Sequence, residues 1–167
     1  MNINEIMSLN VKTCEAQSSL DDVARLMWEH DCGAIPVVDD ENKPIGIVTD
    51  RDIAMAAMLK HKPLWSMTPE EFIYGQKLSC CQQNDSLQDC LNKMKSNGVR
   101  RIMVTNADGT LAGIVSIGDI VAFTGNSHMN TASPLHAVNM EPVVAMLKEV
   151  SGHHSQLERP MTEVKSN

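Results

Sequence analysis

Aromatic side chains are nearly absent from this chain, at 3% of its 167 residues, so no core can be built on stacked rings. The interior must instead be assembled from Ile, Val, Leu and Ala, with 12 Met filling irregular gaps. Basic residues are also scarce. Fourteen Lys and Arg face 21 Asp and Glu, a net charge of −7, and no concentrated basic stripe is visible, which argues against general nucleic-acid affinity. No stretch approaches 18 consecutive apolar residues, and the opening MNINEIMSLNVKTCE lacks a basic run followed by an apolar one. Neither a membrane span nor a leader is expected, and the cytoplasm is the expected compartment. The five cysteines (Cys14, Cys32, Cys80, Cys81, Cys90) are odd in number and form no C-x-x-C pair. Reduced thiols packed as small hydrophobes fit this pattern better than a disulfide frame. The motifs G-x-S-x-G, H-E-x-x-H, the P-loop and the Rossmann fingerprint are all missing. His128, His136, His153 and His154 lack the further ligands a metal site would need, so neither a metal nor catalysis is expected.

What the chain does have is a repeat at a spacing of 67 residues. GIVTDRDI, from Gly46 to Ile53, returns as GIVSIGDI, from Gly113 to Ile120. The register extends without a gap back through Ser19/Ser86, Leu20/Leu87, Asp22/Asp89, Met27/Met94, Ile35/Ile102 and Val37/Val104. Two such copies must bury their faces against one another, which places function where they meet. The organisation expected is residues 1–60 as the first copy, 61–76 as a packed connector, 77–124 as the second copy and 125–167 as an extension.

Each copy reads as strand, helix, strand, strand, helix, a mixed α/β (α+β) fold. In the first copy a strand is expected over Val11 to Cys14. A helix follows, opening at Ser19 or Ser18, with Leu20, Val23, Ala24 and Met27 at the i, i+3, i+4, i+7 positions. Leu87, Cys90, Leu91 and Met94 repeat that stripe. Ser19-x-x-Asp22 and Ser86-x-x-Asp89 resemble capping boxes with Asp in place of Glu. Gly33 and Gly98 stand where a left-handed residue would end each helix. Ile35 to Val38 and Ile45 to Val48 then read as a hairpin, as do Ile102 to Thr105 and Leu111 to Val115, the latter with Asp108-Gly109 at its turn. Final helices are expected over Arg51 to Lys60 and Gly118 to Thr124. Pro69-Glu-Glu can open a helical turn in the connector. Val138 to Val150 reads as one amphipathic helix with Pro142 in its first turn, and from Gly152 onward the polar end reads as disordered.

The turn after the last strand of each copy carries the chemistry. Gly46, Thr49 and Asp52 are matched by Gly113, Ser116 and Asp119. A carboxylate in the first helical turn can accept hydrogen bonds from vicinal ribose hydroxyls, and the adjacent helix N-terminus favours a phosphate. The same Thr-x-x-Asp and Ser-x-x-Asp spacings are also capping boxes, which need no ligand. The residue chemistry alone leaves these two roles in balance.

The doubled Gly-Ile-Val-Thr-Asp-Arg-Asp and Gly-Ile-Val-Ser-Ile-Gly-Asp turns, set in a β-α-β-β-α unit, resemble a tandem pair of cystathionine β-synthase (CBS) domains, a Bateman module, over residues 3 to 124. The resemblance implies pseudo-twofold packing and two clefts for adenosine compounds such as AMP, ADP, ATP, S-adenosylmethionine or NAD. It also implies a homodimer that regulates a partner protein and is not an enzyme. Carried over by position, Thr49 and Asp52 would hold one ribose, and Ser116 and Asp119 the other. Ile47 and Ile114 would touch the sugar or base. Ile35-Pro36 and Ile102-Met103 would wall the adenine, with Thr13 and Cys80 as further contacts, and Arg51 and Arg100 would meet phosphate. The copies differ where charge matters: Asp50-Arg51 in one turn stands against Ile117-Gly118 in the other, and Gly33-Ala34 against Arg100-Arg101 at the strand entry. The clefts are therefore expected to be unequal. The alternative reading is a ligand-free dimerisation or interaction module in which both Asp residues serve only as caps.

Overall fold

The computed structural model describes residues 1–127 and 140–152, and each copy folds as one three-stranded sheet with its helices. In the first, β1 (Cys14–Glu15) lies parallel to β2 (Ala34–Val38), which runs antiparallel to β3 (Pro44–Thr49). The second repeats the order with β4 (Cys80–Gln82), β5 (Arg101–Thr105) and β6 (Leu111–Ser116). The registers match position for position: Cys14 faces Val37 as Cys81 faces Val104, and Ala34 faces Thr49 as Arg101 faces Ser116. Each parallel pair is joined by a helix, α1 (Leu20–Glu29) or α4 (Leu87–Asn97), and each hairpin runs into another, α2 (Asp50–Lys60) or α5 (Ile117–Ser127).

Local chemistry explains the helix starts. Ser19 Oγ accepts the Asp22 amide and Ser86 Oγ the Asp89 amide, both at 3.1 Å, so each hydroxyl occupies an otherwise unpaired helical donor. The ends differ. Gly98 takes a left-handed conformation at φ 64° and closes α4 as its lack of a Cβ allows. In the first copy Gly33 does not have that role: α1 stops at Glu29, and the left-handed residue is Asp31, at φ 47°. Asp tolerates that region better than most side chains. The first strand also departs from expectation, because the residues paired with β2 are Cys14 and Glu15 rather than Val11 to Cys14. Pairing, not β-propensity, defines a strand this short.

The two copies exchange their leading segments. Residues before β1 lie on the second copy: Met1 O accepts the Leu87 amide, Asn4 donates to Gln83 O, and Ser8 and Ile114 trade two backbone bonds of 2.9 and 3.1 Å. The connector mirrors this on the first copy, where Met67 O accepts the Leu20 amide and Glu70 donates to Ala16 O. It contains α3 (Glu70–Ile73), opened by Pro69. Ile3 and Ile6 accordingly join the core of Cys81, Leu87, Leu91, Met94, Ile102, Val104, Val115 and Ile120, whereas Met67 joins that of Leu20, Val23, Met27, Ile35, Val37, Val48 and Ile53.

Symmetry stops at α6 (Met140–Gly152), which packs on α4 and buries Val143 and Met146 in the second core. Pro142 stands in its first turn, where its missing amide is not needed. Residues 128–139 and 153–167, including the tail histidines His128, His136, His153 and His154, lie outside the described residues.

Candidate ligand clefts

Both turn motifs close the same hydrogen-bonded ring. Asp52 Oδ2 accepts the Thr49 amide at 2.8 Å and the Thr49 hydroxyl at 2.7 Å, while the Asp52 amide donates back to Thr49 Oγ1 at 3.2 Å. Asp119 Oδ2 accepts the Ser116 amide at 2.7 Å and its hydroxyl at 2.6 Å, with the return bond again at 3.2 Å. One oxygen of each carboxylate is thus committed to capping, and the other is available to something else. For Asp119 that oxygen accepts the Ser8 hydroxyl at 3.0 Å. For Asp52 no partner exists among the described residues.

Ser116, Asp119 and Ile114 line a cleft of about 380 Å³, together with Ser8, Asn10, Val11 and Lys12 from the leading segment. Its far wall is the strand entry of the other copy, from His30 to Ala34, with Arg101 between the two sides. A second cleft of about 280 Å³ lies against the other hairpin and is lined by Ile47, Ile102, Met103, Arg101, Val99, Asn97, Ser96 and the chain from Gln76 to Ser79. Gln76 fixes its rim: its side-chain amide bonds both the N–H and the C=O of Ile47, at 3.3 and 3.2 Å. The first hairpin therefore receives a side-chain clip where the second receives backbone pairing from Ser8. Each cleft takes residues from both copies.

The remaining sequence-predicted residues stand elsewhere. Thr49 and Asp52 sit half-buried at the start of α2 and line neither cleft. Ile35 and Pro36 are buried within β2. Thr13 is half-buried beside β1 and lines neither cleft. Arg51 and Arg100 are exposed and line neither cleft. Cys80 is half-buried, its carbonyl accepts Lys93 Nζ at 3.1 Å, and burial pushes its thiol up from the ordinary value. The Cys14 thiol is raised further, to about 11, by burial first and Glu15 second. Neither thiol is a nucleophile at neutral pH. The sequence reading did not anticipate Ser8, Asn10, Lys12, His30, Asp31 or Gln76 in these clefts, and of the Arg100-Arg101 pair at the strand entry it assigned the phosphate to Arg100, whereas Arg101 is the one that lines them.

No group of three or more His, Cys, Asp or Glu among the described residues could hold a metal ion, and no helix among them is long and apolar enough to cross a membrane.

Tandem hairpins in identical register, each feeding a capped helix and each bordering a cleft with residues of both copies, define a paired-repeat architecture. The family model for the CBS domain matches residues 3–59 and 70–125, and the chain belongs to the CBS domain family. Among curated relatives, the CBS domain-containing protein YhcV of Bacillus subtilis is 30% identical over 139 residues, covering 77% of this chain and 96% of that protein. Hypoxic response protein 1 of Mycobacterium tuberculosis is 32% identical over 116 residues, covering 70% and 80%. A crystal structure of Hypoxic Response Protein I with two coordinated zinc ions superposes with a TM-score of 0.66 at 30% identity, over 73% of this chain and 98% of that one. The CBS domain pair of protein MJ0100, in complex with 5'-methylthioadenosine and S-adenosyl-L-methionine, superposes with a TM-score of 0.67 at 24% identity, over 76% and 98%.

Proposed function

We propose that this chain is a regulatory sensor that binds an adenosine-type ligand in the larger cleft and conveys its occupancy to a partner protein. One observation carries the reading. The Ser116–Asp119 turn, from one copy, faces the Cys32 to Ala34 entry of the other across about 380 Å³, so a ligand seated there touches both copies at once. A ligand in that position shifts the packing equilibrium of the copies by its differential affinity for their arrangements. The MJ0100 pair, solved with two adenosine compounds, supports the ligand class. Asp119 Oδ1 would accept a ribose hydroxyl in place of Ser8, while Lys12 and Arg101 supply positive charge for a phosphate or carboxylate. Self-association as a homodimer in the cytoplasm completes the proposal. Met58 and Leu59 on α2 and Trp28 on α1, all exposed apolar side chains, support the contact.

Isothermal calorimetry with adenosine, AMP, ATP, 5'-methylthioadenosine and S-adenosylmethionine tests this reading. Saturable binding is expected, with the larger cleft's share of it lost in Asp119→Ala, and no heat with any of them at millimolar ligand would sink it.

A second reading, a ligand-free interaction module, is favoured by the closed capping rings, in which both carboxylates already serve the helix starts. Under it, Asp52→Ala and Asp119→Ala would lower stability with no ligand signal to lose.

A further inference from the structure

We propose that Arg101 is a phosphate-recognition residue shared by both clefts, so that two phosphorylated nucleosides compete for one guanidinium while two uncharged nucleosides do not. The inference rests on the nucleoside reading above and adds a coupling between its sites. Arg101 lines the larger cleft beside Asp119 and also the smaller cleft beside Ile47 and Met103. The repeat explains how one residue reaches both. Arg101 opens β5 opposite Ser116, as Ala34 opens β2 opposite Thr49, so the two are equivalent positions, and both line the larger cleft. Equivalent positions that meet in one cleft lie close to where the copies are related to each other, and a long side chain placed there serves either side. The first copy brings only a methyl group to this place. Arg101 is thus common to both clefts, and its Nη1 stands beside Gly33 on the side of the larger one.

Its present position and its freedom fit this role. Arg101 Nη1 lies beside Gly33, 3.7 Å from where a Cβ on that glycine would stand, and Asp50 Oδ2 is 3.1 Å from the same point. A side chain at position 33 would fill that gap. Arg101 makes no ion pair and no side-chain hydrogen bond among the described residues, so no bond must break for it to turn. Each cleft also has a lysine of its own, Lys12 in the larger and Lys77 in the smaller. An ammonium attracts phosphate as a point charge, whereas the planar guanidinium can grip two of its oxygens. The second grip is present once.

Coupling of this kind is reciprocal: a phosphate that engages Arg101 from one cleft weakens phosphate binding in the other by the same factor. The test is calorimetric titration of the full chain with adenosine and, separately, with AMP, in wild type, Arg101→Ala and Arg101→Gln, the last keeping part of the stem and a neutral amide. In wild type the gain of AMP over adenosine should be about tenfold larger at the first equivalent than at the second, where only the lysine of that cleft meets the phosphate. In both variants the AMP-to-adenosine affinity ratio should become equal at the two equivalents. An equal AMP advantage at both equivalents of wild type, a difference between the equivalents that survives both substitutions, or a single nucleoside equivalent would overturn the shared arginine. Adenosine binding with no AMP advantage anywhere would overturn it and leave the nucleoside reading standing, whereas absence of binding by either ligand would remove both.

Discussion

The Ser8 hydroxyl donates to Asp119 Oδ1 at 3.0 Å, joining the leading segment to a helix start 111 residues away. The equivalent carboxylate oxygen of Asp52 has no such partner among the described residues. The reason lies in the exchanged segments: counting from the paired bonds of Met1 with Met67 and Asn4 with Glu70, the connector brings Tyr74 to the place of Ser8, and Tyr74 is 94% exposed. The inequality of the two turns is thus set by what packs against them as much as by their own residues.

Ser8→Ala should raise adenosine affinity in the larger cleft. Its hydroxyl already occupies the acceptor that a ribose hydroxyl would use, so removing it spares the ligand a displacement of about 0.5–1.5 kcal/mol, or roughly two- to tenfold in Kd. Calorimetry on the single variant reads this directly. A fall in affinity would instead make Ser8 a contact of the bound ligand.

Asp52→Ala and Asp119→Ala should each lower thermal stability by a similar amount, on the order of 1 kcal/mol, because each removes the acceptor for one helix-start amide. Their ligand effects should differ, with Asp119→Ala abolishing binding in the larger cleft. Differential scanning fluorimetry with and without ligand separates the two consequences.

Gly46 and Gly113 recur because something crosses close above each hairpin. A Cβ on Gly46 would overlap the Ile73 side chain, whereas one on Gly113 would stand 2.7 Å from Ser8 O, a backbone atom. Both Gly→Ala changes should destabilise by about 1–3 kcal/mol through overpacking. Ile73→Ala would leave its own Cβ 2.6 Å from the added Gly46→Ala methyl, so Ile73→Gly, which removes the whole obstructing side chain, is the change that should relieve Gly46→Ala. No side-chain deletion at Ser8 should rescue Gly113→Ala, and chemical denaturation of the four variants checks the pair.

Asp85 should contribute acid-sensitive stability. Its carboxyl is held below the usual carboxylate range, first by the Lys93 ammonium 2.8 Å away and then by the Gln82 amide. A depressed folded pKa means that this contribution is complete above the unfolded value of about 3.9 and fades as pH falls through the lower folded value. The melting temperature of Asp85→Asn should trail wild type by a constant amount above pH 5, and the gap should close toward pH 2. The partly exposed pair limits the effect to about 1 kcal/mol.

Much of this architecture was legible because it is local or periodic. The Ser19 and Ser86 hydroxyls announce their helices, the apolar spacing of Leu20 to Met27 and Leu87 to Met94 marks the buried faces, and Asp108-Gly109 places a turn where Gly109 adopts φ 87°. The cleft was less legible. Arg100 and Arg101 are neighbours of identical chemistry, but β5 begins at Arg101 and Arg100 remains in the exposed approach to it. Side-chain direction reverses from one strand residue to the next, so a choice between adjacent arginines depends on where pairing starts. Sequence spacing cannot supply that.

The 67-residue repeat was sufficient to specify two equivalent β-α-β-β-α units with capped helices, because hydrogen-bonding and burial periodicities act over a few residues and were written twice. The contents of each cleft were decided only by tertiary structure. Ser8, Lys12 and Gln76 reach the hairpins through exchanged segments, α6 covers one copy alone, and Arg101 stands where the copies meet. These are contacts between parts of the chain far apart in sequence, and the balance of packing over the whole molecule determines which of them form.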